Sequence, residues 1–261
     1  MAETTNPLDG TRVSFDVEGR GPAVVLLHGS ALSRAIWRGL GYVKALKEDF
    51  TVLRADLRGH GRSGKPHDPG AYAMELVASD VLAAMDAAGI GSAAVVGYSF
   101  GGRTAFSLAA GAPERVERIA SLGGTFRSAA GQVERIFFDG YLDALRDGGM
   151  QAFVDGFAAA GRPLDPATRA AFLANDPQAL VAYFERTEVQ EGLPEEELAR
   201  LELPALLMAG GRDRGRLEDA RRAAELMPAA RFAELPGRTH ASTLFPADEV
   251  LGHLRPFLLN R

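Results

Sequence analysis

A hydroxyl becomes a useful nucleophile only when a base takes its proton and an anionic group orients that base. The stretch Gly97-Tyr98-Ser99-Phe100-Gly101 reads G-x-S-x-G. It follows the apolar run Ala93–Val96, which reads as a buried strand, and precedes a helical pattern beginning at Gly102. A serine on such a strand-to-helix turn is forced outward, and its small neighbours leave room for a tight backbone. The bare pattern is common by chance. The strand before it and the helix after it assign the nucleophile to Ser99.

The base comes from five histidines: His28, His60, His67, His240 and His253. His240 lies in Gly237-Arg238-Thr239-His240-Ala241, a loop after the last predicted strand, where an imidazole can reach a serine at the strand ends. His253 falls in a terminal helical pattern, His67 in a polar Pro/Gly loop, and His28 reads as a brace for its own loop. The orienting acid is Asp213, at the end of Leu206-Leu207-Met208-Ala209-Gly210-Gly211-Arg212-Asp213, a strand running into a turn. Asp219 is a weaker candidate inside the next helix. The run Val116–Leu122 ends in Gly123-Gly124-Thr125 and offers no rival acid. Acyl transfer also needs donors for an oxyanion. The N–H of Phe100, just after the nucleophile, is one. The N–H of Ser30, in Leu27-His28-Gly29-Ser30, is the other, and its hydroxyl is a further donor.

The elements that must hold these groups follow from the hydrophobic pattern. Ala23–Leu27, Phe50–Leu53, Ala93–Val96, Val116–Leu122, Leu203–Ala209 and, more weakly, Arg231–Leu235 read as buried strands. Thr11–Val17 alternates with period two and reads as a half-exposed, antiparallel first strand. Helical patterns at Leu76–Ala88, Thr104–Ala110, Leu217–Met227 and Ala247–Leu259 separate them. This alternation predicts an α/β fold with a mostly parallel sheet covered on both faces. From about Phe126 to Arg200 no strand is expected. Helical patterns at Val133–Arg146, Met150–Ala160, Pro166–Asn175 and Pro177–Gln190 follow one another there. The expected division is a core of residues 1–125 and 201–261 with a helical cap at 126–200. That insert holds nine of the chain's 20 aromatics, which build its own small core or face a ligand pocket.

Gly59-His60-Gly61-Arg62-Ser63-Gly64 matches G-x-G-x-x-G after a strand. A dinucleotide site needs a helix right there. Lys65-Pro66-His67-Asp68-Pro69-Gly70 follows instead, which a helix tolerates poorly, so the segment reads as a glycine-rich loop. Arg34, Arg103 and Arg127 fall near the predicted mouth by sequence position. Bracing the fold is the favoured reading over binding a carboxylate. Trp37 is expected to pack the helix after the Ser30 loop, with a pocket role as the alternative.

The 261 residues, 46% apolar and 24% charged, suffice for one large domain with an insertion. The net charge of −5 carries no basic face for nucleic acid. There is no cysteine, which removes disulfides, thiolate metal sites and a thiol nucleophile. Met1–Pro7 lacks the basic and apolar segments of a secretion signal. No apolar run approaches the roughly 20 residues of a membrane helix. A cytoplasmic location and no membrane partner are the expectation.

The chain resembles the α/β-hydrolase superfamily, in its esterase, haloperoxidase and C–C hydrolase branch. The resemblance rests on His28-Gly29-Ser30, Asp56-Leu57-Arg58-Gly59-His60-Gly61-Arg62-Ser63-Gly64, Gly97–Gly102, Asp213 and His240. They stand in the family's order and span nearly the whole chain. The resemblance implies a cap where the strandless stretch falls. It also implies that Ser99, in place of an aspartate nucleophile, argues against dehalogenase and epoxide hydrolase chemistry. The expected activity is hydrolysis of a carboxylic ester or lactone of a small, largely apolar substrate through an acyl-enzyme, without metal or organic cofactor. C–C bond hydrolysis, perhydrolysis and a biosynthetic tailoring step use the same triad and stay open, as does a slow ligand receptor. Oligomeric state carries no signal in the sequence.

Overall fold

The six buried apolar runs form six consecutive parallel strands of one eight-stranded sheet in the computed structural model, which describes residues 1–260. The strands are β1 (Ala2–Thr5), β2 (Arg12–Gly19), β3 (Ala23–Leu27), β4 (Thr51–Ala55), β5 (Ala93–Tyr98), β6 (Val116–Leu122), β7 (Ala205–Gly210) and β8 (Ala230–Leu235). Their order is β1-β2-β4-β3-β5-β6-β7-β8, with β1 and β2 antiparallel to their neighbours. The antiparallel first strand expected from its alternation is thus β2. A strand ahead of it, β1, carried no pattern that distinguished it.

The central strands read as unbroken apolar runs because both faces are covered. In β3, Val25 and Leu27 face one core while Val24 and Leu26 face the other. In β7, Ala205, Leu207 and Ala209 face the first and Leu206 and Met208 the second. Helices α1 (Ala35–Gly39), α2 (Tyr42–Leu46) and, at the chain's end, Ala247–Leu259 cover the second face. Trp37 sits in α1, fully buried, edge-to-face with Tyr42 at 5.1 Å, so it packs this face and does not line the pocket described below. Helices α3 (Met74–Ala87) and α4 (Phe100–Gly111) cover the first face, together with Arg214–Leu226.

Between β6 and β7 the structure is helical: α5 (Val133–Ile136), α6 (Tyr141–Ala159), α7 (Pro166–Leu173), α8 (Pro177–Val189) and α9 (Glu195–Ala199). The core is completed by α10 (Arg214–Leu226) and α11 (Ala247–Leu259). The expected helix Val133–Arg146 is in fact two, broken at Phe137–Gly140, where Gly140 takes a positive φ of 79°. The expected break before Met150 is a kink inside α6, at Gly149 (φ 63°, ψ −154°). Glycine adopts both conformations without a Cβ clash. Among the described residues no helix is long and apolar enough to cross a membrane.

No helix follows β4 directly. The glycine-rich loop folds over its own aspartate instead: Asp56 accepts from the N–H groups of Arg34 (2.8 Å) and Arg62 (2.9 Å). A Cβ on Gly61 would lie 2.3 Å from that carboxylate, so the glycine serves the loop. Arg34 is buried here between Asp16 and Asp56, as a brace.

Two fully buried histidines underlie this loop. His28 Nε2 accepts the Leu57 N–H at 3.0 Å, and His60 packs edge-on against it at 5.2 Å. Burial and the neighbouring His28 push His60 down to about 3, and burial lowers His28 as well. The unfolded chain therefore binds protons that the native state refuses from its ordinary pKa of about 6.5 downward. Stability is complete above that value and falls with decreasing pH, by about 1.4 kcal/mol per unit for each such histidine. Urea unfolding between pH 7 and pH 5, above most carboxylate titrations, reads this slope. His60→Gln should reduce it, and an unchanged slope in that variant would contradict the assignment.

Candidate active site

Parallel strands end together, so loops after β5, β7 and β8 meet at one edge. Register makes this concrete: Tyr98 of β5 pairs with Leu122 of β6, Leu122 with Met208 of β7, and Gly210 with Leu235 of β8. Ser99, Asp213 and His240 follow the ends of β5, β7 and β8.

Ser99 has φ 53° and ψ −109°, a strained conformation for a residue with a side chain. The surrounding glycines make the turn possible. A Cβ on Gly97 would lie 2.0 Å from the Gly101 carbonyl oxygen, and one on Gly101 would lie 2.2 Å from that of Leu27. Substituting either residue forces α4 away from the sheet.

The structure brings the three expected residues together. His240 Nδ1 donates to Asp213 Oδ2 at 2.6 Å. A carboxylate only accepts, so that proton sits on Nδ1 and the Nε2 lone pair is left for the Ser99 hydroxyl, which lies at 2.9 Å. The Tyr98 ring stacks on the imidazole at 5.5 Å, and its hydroxyl donates to the His240 carbonyl at 2.9 Å. The histidine is thereby held from three sides. Tyr98 in this supporting role was visible in the sequence only as the variable residue of G-x-S-x-G.

The loop that carries Ser30 and the start of α4 at Phe100 both adjoin the same serine. A Cβ on Gly29 would sit 3.2 Å from Ser99 Cβ, so the Ser30 loop touches the turn. Phe100 opens α4, where the first N–H groups have no partner within the helix. Among the described residues neither the Phe100 nor the Ser30 N–H donates to another group. The Ser30 hydroxyl shares a 2.7 Å hydrogen bond with the Tyr183 hydroxyl of α8. Burial pushes Tyr183 up to about 12, so it keeps its proton at neutral pH.

Asp219 is placed elsewhere. It accepts from the Thr125 hydroxyl at 2.6 Å and faces Arg216 at 3.5 Å and Arg127 at 3.4 Å, without touching His240. Arg127 also pairs with Glu195 on the surface. His253 is exposed on α11, and His67 faces Asp176 at 3.2 Å at the start of α8.

A cavity of about 150 Å³ opens onto Ser99 and His240. Its wall is mostly apolar, with Leu32, Met74, Val133, Ile136 and Leu164 among its members. Four of the nine aromatics of the helical segment reach it: Phe137, Phe157, Phe172 and Tyr183. The other five pack within the first core. All nine belong to the core on the first face of the sheet, so they do not build a separate small core, while the pocket-facing expectation holds for four of them. Arg186 and Arg216 also line the cavity; no short-range pattern marked them, because helix packing alone decides which face of α8 and α10 meets the pocket.

Comparisons with known proteins agree with this architecture. A family model described as the alpha/beta hydrolase fold matches residues 22–175. A Caulobacter segnis protein named as a carbamate hydrolase, RutD, is 36% identical over 155 residues, 58% of this chain and 56% of that relative. Matches to the curated relatives span about half of their length or less. The crystal structure of the enol-lactonase from Burkholderia xenovorans LB400 superposes with a TM-score of 0.82 at 28% identity, covering 96% of this chain and 97% of that one. A hydrolase from Pseudomonas aeruginosa PA01 superposes at 0.83 with 26% identity, covering 99% and 98%.

Proposed function

Because the chain belongs to the alpha/beta hydrolase fold family, we propose that it hydrolyses a carboxylic ester or lactone of a small molecule, with Ser99 as nucleophile, His240 as general base and acid, and Asp213 as orienting acid. One observation carries this reading: the unbroken relay Asp213–His240–Ser99, at 2.6 and 2.9 Å, at the floor of an apolar cavity.

Ser99 Oγ attacks the substrate carbonyl as its proton passes to His240 Nε2. The Asp213 carboxylate stabilises the imidazolium that forms. The Ser30 and Phe100 N–H groups take the negative charge of the tetrahedral intermediate; losing one such donor typically costs about 3 kcal/mol of barrier. Collapse expels the alcohol, which receives the proton from His240, and leaves Ser99 acylated. Water then attacks the acyl carbon, giving its proton to His240, and the acid departs as Ser99 Oγ is protonated again. In a lactone the alcohol stays tethered to the acid. These steps draw on protein groups and water alone.

In this reading residues 126–200 form a cap that closes the cavity over a core of 1–125 and 201–261. Tyr183 then acts from the cap as a positioning residue, holding Ser30 where its N–H meets the oxyanion. Tyr183→Phe removes one hydrogen bond of about 1 kcal/mol. It should lower kcat/KM for a short-chain aryl ester roughly fivefold, mostly in kcat. An effect in KM alone would assign Tyr183 to ground-state binding instead.

A fluorophosphonate probe tests the core of the proposal. Stoichiometric labelling, located at Ser99 by peptide mass spectrometry, is expected, along with turnover of aryl esters or lactones. Labelling elsewhere, or cleavage of a vinylogous diketone with no ester turnover, would overturn it.

A further inference from the structure

Among the described residues the cavity wall carries three arginines, Arg103, Arg186 and Arg216, and no aspartate or glutamate. Arg103 works as a brace. It donates to the carbonyls of Phe126 (3.1 Å), Arg127 (2.5 Å) and Glu191. Carbonyls satisfy its N–H groups without neutralising its charge. Burial and the facing Arg216 push it down to about 10, so it remains a cation at neutral pH.

The other two guanidiniums have capacity left over. Arg186 donates through Nε to Gln190 Oε1 at 3.0 Å, and among the described residues its two Nη groups meet no partner. Arg216 is 6% exposed and donates through Nη1 to Gln132 Oε1 at 2.6 Å. Its nearest carboxylate, Asp219 at 3.5 Å, is shared with Thr125 and Arg127. Asp213 also faces Arg216, but it is committed to His240. Arg216 is thus buried with only the shared Asp219 carboxylate beside it, and Arg186 is partly exposed at the cavity wall with both Nη groups open. A planar guanidinium fork matches a carboxylate in shape as well as charge.

Resting on the hydrolase reading above, we propose that the substrate's apolar body ends in a carboxylate, and that Arg186 and Arg216 bind it. The aromatic and aliphatic wall takes the hydrocarbon, the two guanidiniums take the anion, and the ester carbonyl lies over Ser99. Arg103 contributes charge from behind and no direct contact.

Matched ester pairs test this on the wild-type protein. Mono-4-nitrophenyl glutarate against its methyl ester places the carboxylate in the acyl half. 4-(Pentanoyloxy)benzoate against its methyl ester places it in the alcohol half. In one pair the anion should be preferred at least tenfold in kcat/KM, chiefly through KM, and that pair identifies the half. Arg186→Gln should cut the preference about tenfold, and Arg186→Lys should restore part of it. Turnover of the neutral esters with no preference in either pair overturns the carboxylate site and leaves the hydrolase reading standing. Should no ester be turned over, binding decides separately. Calorimetry on the Ser99→Ala protein compares monomethyl glutarate with dimethyl glutarate. Tighter binding of the anion, lost in Arg186→Gln, upholds the site; equal binding overturns it.

Discussion

Ser99→Ala should lower kcat for ester hydrolysis by roughly 10⁵- to 10⁶-fold, with the fold intact. Among the described residues Ser99 is the one hydroxyl hydrogen-bonded to His240 Nε2, and the chain has no cysteine to substitute. The residual rate comes from what the mutation spares: the Ser30 and Phe100 N–H groups and the cavity that positions the carbonyl. The triad acts as one unit, so its losses do not add. A Ser99→Ala, His240→Ala double variant should be about as slow as Ser99→Ala alone. Alanine also relieves nothing at φ 53°, since the strain there belongs to the Cβ. The thermal midpoint should move by no more than a few degrees. Turnover of Ser99→Ala within tenfold of wild type would remove the serine from the mechanism.

The largest single loss of stability is expected at Asp80. Arg58, with a fully buried side chain, forks onto Asp80 through Nε and Nη2, both at 2.7 Å. Asn6 donates to the same carboxylate at 2.7 Å. One ion pair thereby ties the segment after β1, the loop after β4 and helix α3. Asp80→Ala leaves the guanidinium with the Ala71 carbonyl and one carboxylate, Asp9, which is partly solvated. Removing one partner of a buried pair costs about 3–5 kcal/mol. At this chain length that corresponds to roughly 10 °C in the thermal midpoint. Replacing both partners, as Arg58→Met with Asp80→Leu, should recover most of the loss, because the uncompensated charge disappears with its partner. An Asp80→Ala protein that melts with wild type would show that the pair contributes nothing net.

The parts of this molecule that were legible in sequence are those governed by local rules. Ala93–Val96 and Leu203–Ala209 announce central strands because both of their faces are buried, which removes the polar alternation. The Ser99 turn is legible because a Cβ at Gly97 or Gly101 would come within 2.5 Å of adjacent backbone, which dictates glycine there. Asp213 and His240 were found by their places after strands, which topology converts into proximity. The parts that were not legible are set by packing between distant segments. Tyr183 reaches Ser30 across 153 positions of chain. Arg186 and Arg216 become pocket residues only when α8 and α10 settle on the core. The break at Phe137–Gly140 did carry a local signal, the turn dipeptide Asp139-Gly140, which the helical periodicity on either side masked, and β1 was too short to show a pattern.

The neck of the helical segment has a practical meaning. Leu193 N–H donates to the Phe126 carbonyl at 2.7 Å, and a Cβ on Gly192 would strike Ser128 N at 2.7 Å, so the outgoing and returning chains run in contact. The Arg103 guanidinium, mounted on the nucleophile's own helix, clasps both of them. Everything between residues 129 and 190 is therefore a cassette with its own clasp. A replacement of different length or specificity, spliced at those points with Gly192 and Arg103 kept, inherits a closed junction and leaves Ser99, Asp213 and His240 in place, but it has to supply its own partner for the Ser30 hydroxyl in place of Tyr183.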